Sequence, residues 1–148
     1  MFFFEKDLLF KIKILNLPEV EKREIIKSIE LYNKIAMDFY ATGGNPSLID
    51  EIPASKFLKH EIFKEIGYLS SMGFLQVLDL YDFKVKKIDF EDSKKARVEV
   101  EEDWNFQRQE FDTRKPLSEI YSFKFEVIYI LKKTGKKWII EEWEPSKY

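Results

Sequence analysis

The chain has no cysteine and one histidine, His60. Thiol catalysis, disulfides and zinc–thiolate sites are therefore excluded, as is any metal site built on several histidines. There is no Gly-rich phosphate loop, no histidine pair at helical spacing and no Asp-dense calcium loop, so no metal or organic cofactor is expected. No run approaches the roughly 18 apolar residues that a membrane helix needs. The opening Met1-Phe2-Phe3-Phe4 is followed at once by Glu5, Lys6 and Asp7, without the basic-then-apolar order of a signal peptide. A cytoplasmic chain is the expectation. Neither charge sign dominates, with 25 basic and 27 acidic residues for a net charge of −2. A global electrostatic case for nucleic acid fails, and only a local patch stays open. Glutamine occurs only at 76, 107 and 109, against abundant lysine and glutamate, the compositional habit of thermophile proteins.

What is present points to one folded domain. Hydrophobic residues make up 45% of the 148 and aromatics 16%, too many for a disordered chain. From Ala96 to Trp143 the sequence alternates as an antiparallel meander does. Ala96, Val98, Val100, Glu102, Trp104 and Phe106 form one row; Tyr121, Phe123, Phe125, Val127, Tyr129 and Leu131 form another. Side chains at every second strand position share a face, so each row lines an apolar surface that must be covered. A Thr134-Gly135 turn leads into the last strand, with Trp138, Ile140 and Glu142.

The first half supplies the cover. Residues 1–15 read as a short amphipathic flap, whose function-rich alternative is a membrane-surface or partner-binding foot. Asn16-Leu17-Pro18-Glu19 has the chemistry of a helix start, so residues 16–148 are taken as the domain proper. Ile25, Ile29, Tyr32, Ala36, Phe39 and Tyr40 then recur at steps of mostly three and four, until Gly43-Gly44. Asn45-Pro46-Ser47 opens a short second helix. Ser55 caps a third, with a stripe of Leu58, Ile62, Ile66 and Leu69 ended by Gly73. Phe74 to Phe90 reads as the first strand, with a bulge expected at Lys86-Lys87, and residues 107–119 as a mobile loop. The fold class is α+β: three N-terminal helices in the concave face of a curved sheet of four antiparallel strands, or slightly more.

Helices followed by a long meander ending in Gly135, Trp138 and Ile140, with the strand Ala96-Arg97-Val98-Glu99-Val100 after an acidic turn, resemble the cone-shaped nuclear transport factor 2-like superfamily. The resemblance spans residues 18 to 144. It is nearer to reduced members, such as the domain at the C-terminus of plastid and cyanobacterial division proteins, and there implies protein contacts. The superfamily also holds isomerases and dehydratases, so fold alone confers no function.

Each candidate site has a plain alternative. Glu102, in register with Val98 and Trp104, points toward the core face, where desolvation would suit a general base. Asp79, among Val77, Tyr81 and Phe83, is assigned the equivalent place. Tyr121 and Tyr129 are the candidate electrophilic donors. The alternative is that these groups lie at wet sheet ends. His60 sits off the stripe of its helix, as solvated histidines do. The first and third hairpins fall at one end of the sheet and gather Lys86, Lys87, Lys94, Lys95, Lys133 and Lys136, an edge for an anion or RNA or else a guard against strand pairing. Ile128, Ile130, Ile139 and Trp143 are assigned to the outer face as an apolar interface patch. The function expected is a non-catalytic protein-binding or assembly module, associating through that face as a homodimer or with another protein. The alternatives are an isomerase or dehydratase acting through Glu102 or Asp79, and anion or RNA binding at the lysine edge.

Overall fold

The computed structural model describes the backbone from Phe2 to Ser146 and side chains from Pro18 to Ser146. Helix α1 spans Phe2–Ala41, α2 Pro46–Ile49 and α3 Lys56–Ser71. Strands β1 (Phe74–Asp92), β2 (Lys95–Glu110), β3 (Tyr121–Thr134) and β4 (Lys137–Pro145) follow, paired in sequence order as one antiparallel sheet. The α+β architecture with helices before strands is as expected.

Helix α1 does not begin at Asn16. It runs through Pro18, which costs one backbone hydrogen bond but leaves helix-forming residues on both sides. Whether residues 1–15 act as a flap lies outside the described side chains. From Ile25 onward α1 turns Ile29, Tyr32, Asn33, Ala36 and Phe39 into the core. Gly43 then takes φ +75°, and a Cβ there would lie 2.5 Å from the Phe111 ring, so turn and close packing both select glycine. Asn45 caps α2 through the Ser47 amide, and Ser55 caps α3 through the Leu58 amide. Leu58, Ile62, Ile66 and Leu69 are the buried stripe of α3, as their spacing predicts.

The two inner rows meet this helical layer. Ala96, Val98, Val100, Val127, Tyr129 and Leu131 join Ile25, Ile29, Phe39 and Ile62 in one hydrophobic cluster with Trp138 and Ile140. Each fully buried aliphatic side chain among them contributes about 1.5–3 kcal/mol.

Register is where the sheet departs from simple alternation. Strand β1 has irregularities at Leu80/Asp82, Val85/Lys87 and Phe90/Asp92, the second being the bulge expected at Lys86-Lys87. β4 has one between its partners Ile130 and Leu131, which face Glu142 and Ile140 and leave Glu141 as the extra residue. Because the side-chain period is two, each extra residue reverses the faces of all that follow. Strand β2 continues to Glu110, beyond the loop expected from residue 107. The connection after it is tied down: the Leu117 amide donates to the Arg108 carbonyl, and the Arg114 guanidinium reaches the Ala41 carbonyl, each at 2.8 Å.

Candidate functional site

Polar chemistry inside the fold converges on Glu102. Its residue is 2% exposed, on the inner row of β2 under α1. The Tyr129 hydroxyl donates to Oε2 at 2.5 Å and the Asn33 amide to the same oxygen at 3.2 Å. The Trp104 indole N–H donates to Oε1 at 3.0 Å. Tyr129 and Asn33 are themselves buried. Three neutral donors on two oxygens suit a carboxylate, since a protonated acid would have to turn a hydrogen toward one of them. Burial pushes the Glu102 pKa up, while hydrogen bonds from Tyr129, Trp104 and Asn33 pull it back. Burial likewise holds the Tyr129 phenol well above its usual range, with the Glu102 charge adding to it.

This cluster forms the floor of a cleft of about 830 Å³. Helix α1 lines it with Tyr32, Ala36 and Tyr40, and α3 with Phe57, Leu58, Glu61, Ile62, Lys64, Glu65 and Tyr68. The sheet contributes Leu78, Trp104, Phe123, Phe125, Val127 and Trp143. Rings continue out of the cleft along the sheet. Trp143 meets Phe125 edge-on at 5.8 Å, Phe125 meets Phe123 at 6.4 Å, and Phe123 meets Phe106 at 5.9 Å. Several stay wet: Phe57 is 66% exposed, Tyr68 64%, Trp143 40% and Phe123 39%. The Tyr40 hydroxyl donates to Glu65 at 2.7 Å, and its pKa is raised chiefly by burial. Tyr32 is pushed up to about 12 by burial, with the Trp143 side chain pulling it partly back.

The structure brings together Glu102 and Tyr129 of the proposed catalytic set and separates the other two. Tyr121 is 49% exposed and stacks on Phe106 at 5.3 Å, four positions along β3 from the partner of Glu102. Asp79 is exposed and faces Asn105 on the outer row, because the irregularity after Leu80 puts Leu78 on the inner face and restores Phe83 and Val85 to it only later. His60 is exposed.

The outer-face group also divides. Trp143 stands opposite Tyr129 and packs on Phe125, so it belongs to the inner face; the extra residue Glu141 reverses its side relative to Ile139. Ile128 and Ile130 are already covered in the single chain, at 5% and 8% exposed. A contiguous wet patch of all four residues is absent.

The two lysine-bearing hairpins do lie side by side, joined by the Lys133 amide to the Lys94 carbonyl at 2.8 Å. Carboxylates take up four of the six cations. Lys86, turned out by its bulge, meets Glu101 at 3.1 Å and Glu126 at 3.4 Å. Lys87 pairs with Asp89, Lys95 with Glu91, and Lys133 with Glu21 at 2.6 Å. Among the described residues no group of acidic, histidine or cysteine side chains is placed to hold a metal, and no helix is long and apolar enough to cross a membrane.

Asn33, Phe57 and Tyr68 were not singled out from the sequence, and Trp104 was read only as part of the apolar row of β2. Asn33 was legible in principle, being a polar residue one turn from Ile29 and beside Tyr32 and Ala36 on an apolar stripe.

No protein-family model matches this sequence, and no curated protein does. Among solved structures, the fold is similar to the intermembrane space region of the chloroplast protein ARC6, at a TM-score of 0.70 and 12% identity, covering 83% of this chain and 94% of that one. At that identity the likeness shows the fold alone. A de novo beta sheet design protein aligns over 85% of this chain at 12% identity, with a TM-score of 0.37 that carries no argument.

Proposed function

We propose that this chain is a non-catalytic protein-binding module whose partner seats in the aromatic cleft between α3 and the sheet. The observation that carries the reading is the set of wet rings Phe57, Tyr68, Phe123 and Trp143 around one concavity. Large aromatics are costly to leave in water, and at interfaces they supply most of the binding free energy. The buried carboxylate supports the non-catalytic part: both Glu102 oxygens are occupied by fixed donors within the chain. Such a group holds α1 against the sheet, whereas a general base needs an oxygen turned to its substrate. Placement among the reduced nuclear transport factor 2-like domains belongs to the same proposal, supported by the order of elements and by the likeness to the ARC6 region.

Selection from a displayed random-peptide library tests it. Peptides enriched on the wild type should lose at least tenfold in affinity on a Phe57→Ser/Trp143→Ser variant and be unaffected by Asp79→Asn. Enrichment of peptides indifferent to the cleft variant would overturn the reading, as would failure to enrich any.

A further inference from the structure

The cleft is unbalanced in both shape and charge. Nine of its nineteen lining residues are aromatic, and its charged residues are Glu61, Glu65 and Glu102 against the single lysine Lys64. Glu102 is compensated only by neutral groups, the Tyr129 hydroxyl, the Trp104 indole and the Asn33 amide. A charge beneath apolar rings is poorly screened, so its field reaches into the cleft. Aromatic faces carry negative potential as well, and attract cations whose alkyl parts pack against the rings. Field and lining thus favour the same chemistry.

We propose that the cleft takes a cationic side chain of the partner protein, an arginine or lysine, held over aromatic faces and drawn inward by the Glu102 carboxylate. This deepens, and rests on, the assignment of the cleft as the partner site. Glu61 and Glu65, exposed on α3, would steer the head group in past the mouth; the rings would pack its methylene stem behind it. An anionic or wholly apolar segment would meet the same rings without the field, which makes charge the source of selectivity.

The probes are butylguanidinium, which reproduces an arginine side chain, and butylurea, its neutral isostere. Binding is followed by the indole N–H resonances of Trp104 and Trp143, which line the cleft, with the Trp138 resonance as internal control. The wild type should bind butylguanidinium at least tenfold more tightly than butylurea. In Glu102→Gln that preference should fall to threefold or less. If this variant does not fold, the exposed pair Glu61→Gln/Glu65→Gln should narrow the preference instead. Equal binding of both probes overturns the cation inference while leaving an apolar partner cleft intact. A preference unchanged in both variants overturns the carboxylate's part in it. If neither probe binds but library peptides do, this inference falls alone; if neither probes nor peptides bind, the partner-cleft reading falls with it.

Discussion

The Tyr129 hydroxyl stands 2.5 Å from Glu102 Oε2, so β3 is bonded to β2 inside the layer that α1 covers. Removing that hydroxyl leaves a buried carboxylate short of one donor. Tyr129→Phe should therefore lower stability by about 1.5–3 kcal/mol, the range for hydrogen bonds to charged groups. Asn33→Leu should act in the same direction. Urea denaturation of each variant beside the wild type measures the loss, and no loss in Tyr129→Phe would mean that the bond is absent in solution.

Acid should act in opposite senses on neighbouring glutamates. Burial raises Glu102 in the folded state, so folding takes up a proton there as pH falls. Its contribution is fullest below the unfolded carboxylate value of about 4.3 and is lost as pH rises through the higher folded value. Glu101 is the reverse: hydrogen bonds from Lys124 and then Lys86 hold it down at about 2, so its contribution is present above the unfolded value and lost as pH falls toward that figure. Urea midpoints at pH 7 and pH 5 separate the two. The wild type should gain on Glu102→Gln between pH 7 and pH 5, whereas Glu101→Gln should show no such gain.

Deleting Glu141 should restore regular pairing of β4 with β3 while Glu142 stays opposite Ile130 and Trp143 opposite Tyr129, so Trp143 keeps its place on Phe125. The expected result is a folded protein that still binds in the cleft, with a Trp143 indole resonance that responds to butylguanidinium. A folded variant whose Trp143 resonance no longer responds would contradict Glu141 as the extra residue.

Ile130 is 8% exposed before any partner arrives. Ile130→Glu should thus cost about 2–4 kcal/mol through a buried, unpaired charge, and lower the melting temperature. Light scattering on the same samples reports whether the outer face joins two copies. A fully stable Ile130→Glu variant that turns a wild-type dimer into a monomer would return the interface to that face.

Much of this was legible because strands β2 and β3 pair without irregularity, so counting by two placed Glu102 and Tyr129 correctly from the sequence. The α3 stripe and its Ser55 cap were legible for the same reason, an unbroken period with a clear start. Asp79 and Trp143 were misplaced because an extra residue, Tyr81 in one strand and Glu141 in the other, reverses the faces without a mark in composition. Pro18 misled in another way: its preference for the first turn is a tendency and not a rule, and the long α1 carries it internally. The cleft itself joins α1, α3 and all four strands, far apart in sequence, a contact set that periodicity within one element does not reveal.

The three tryptophans offer the most direct test of the cleft as the partner surface. Trp104 and Trp143 line it, while Trp138 is buried at the other end of the core beside Glu21. Titration of a library-selected peptide should shift the Trp104 and Trp143 indole N–H resonances together and leave Trp138 still. Movement of Trp138 alone, with the other two unchanged, would contradict the account.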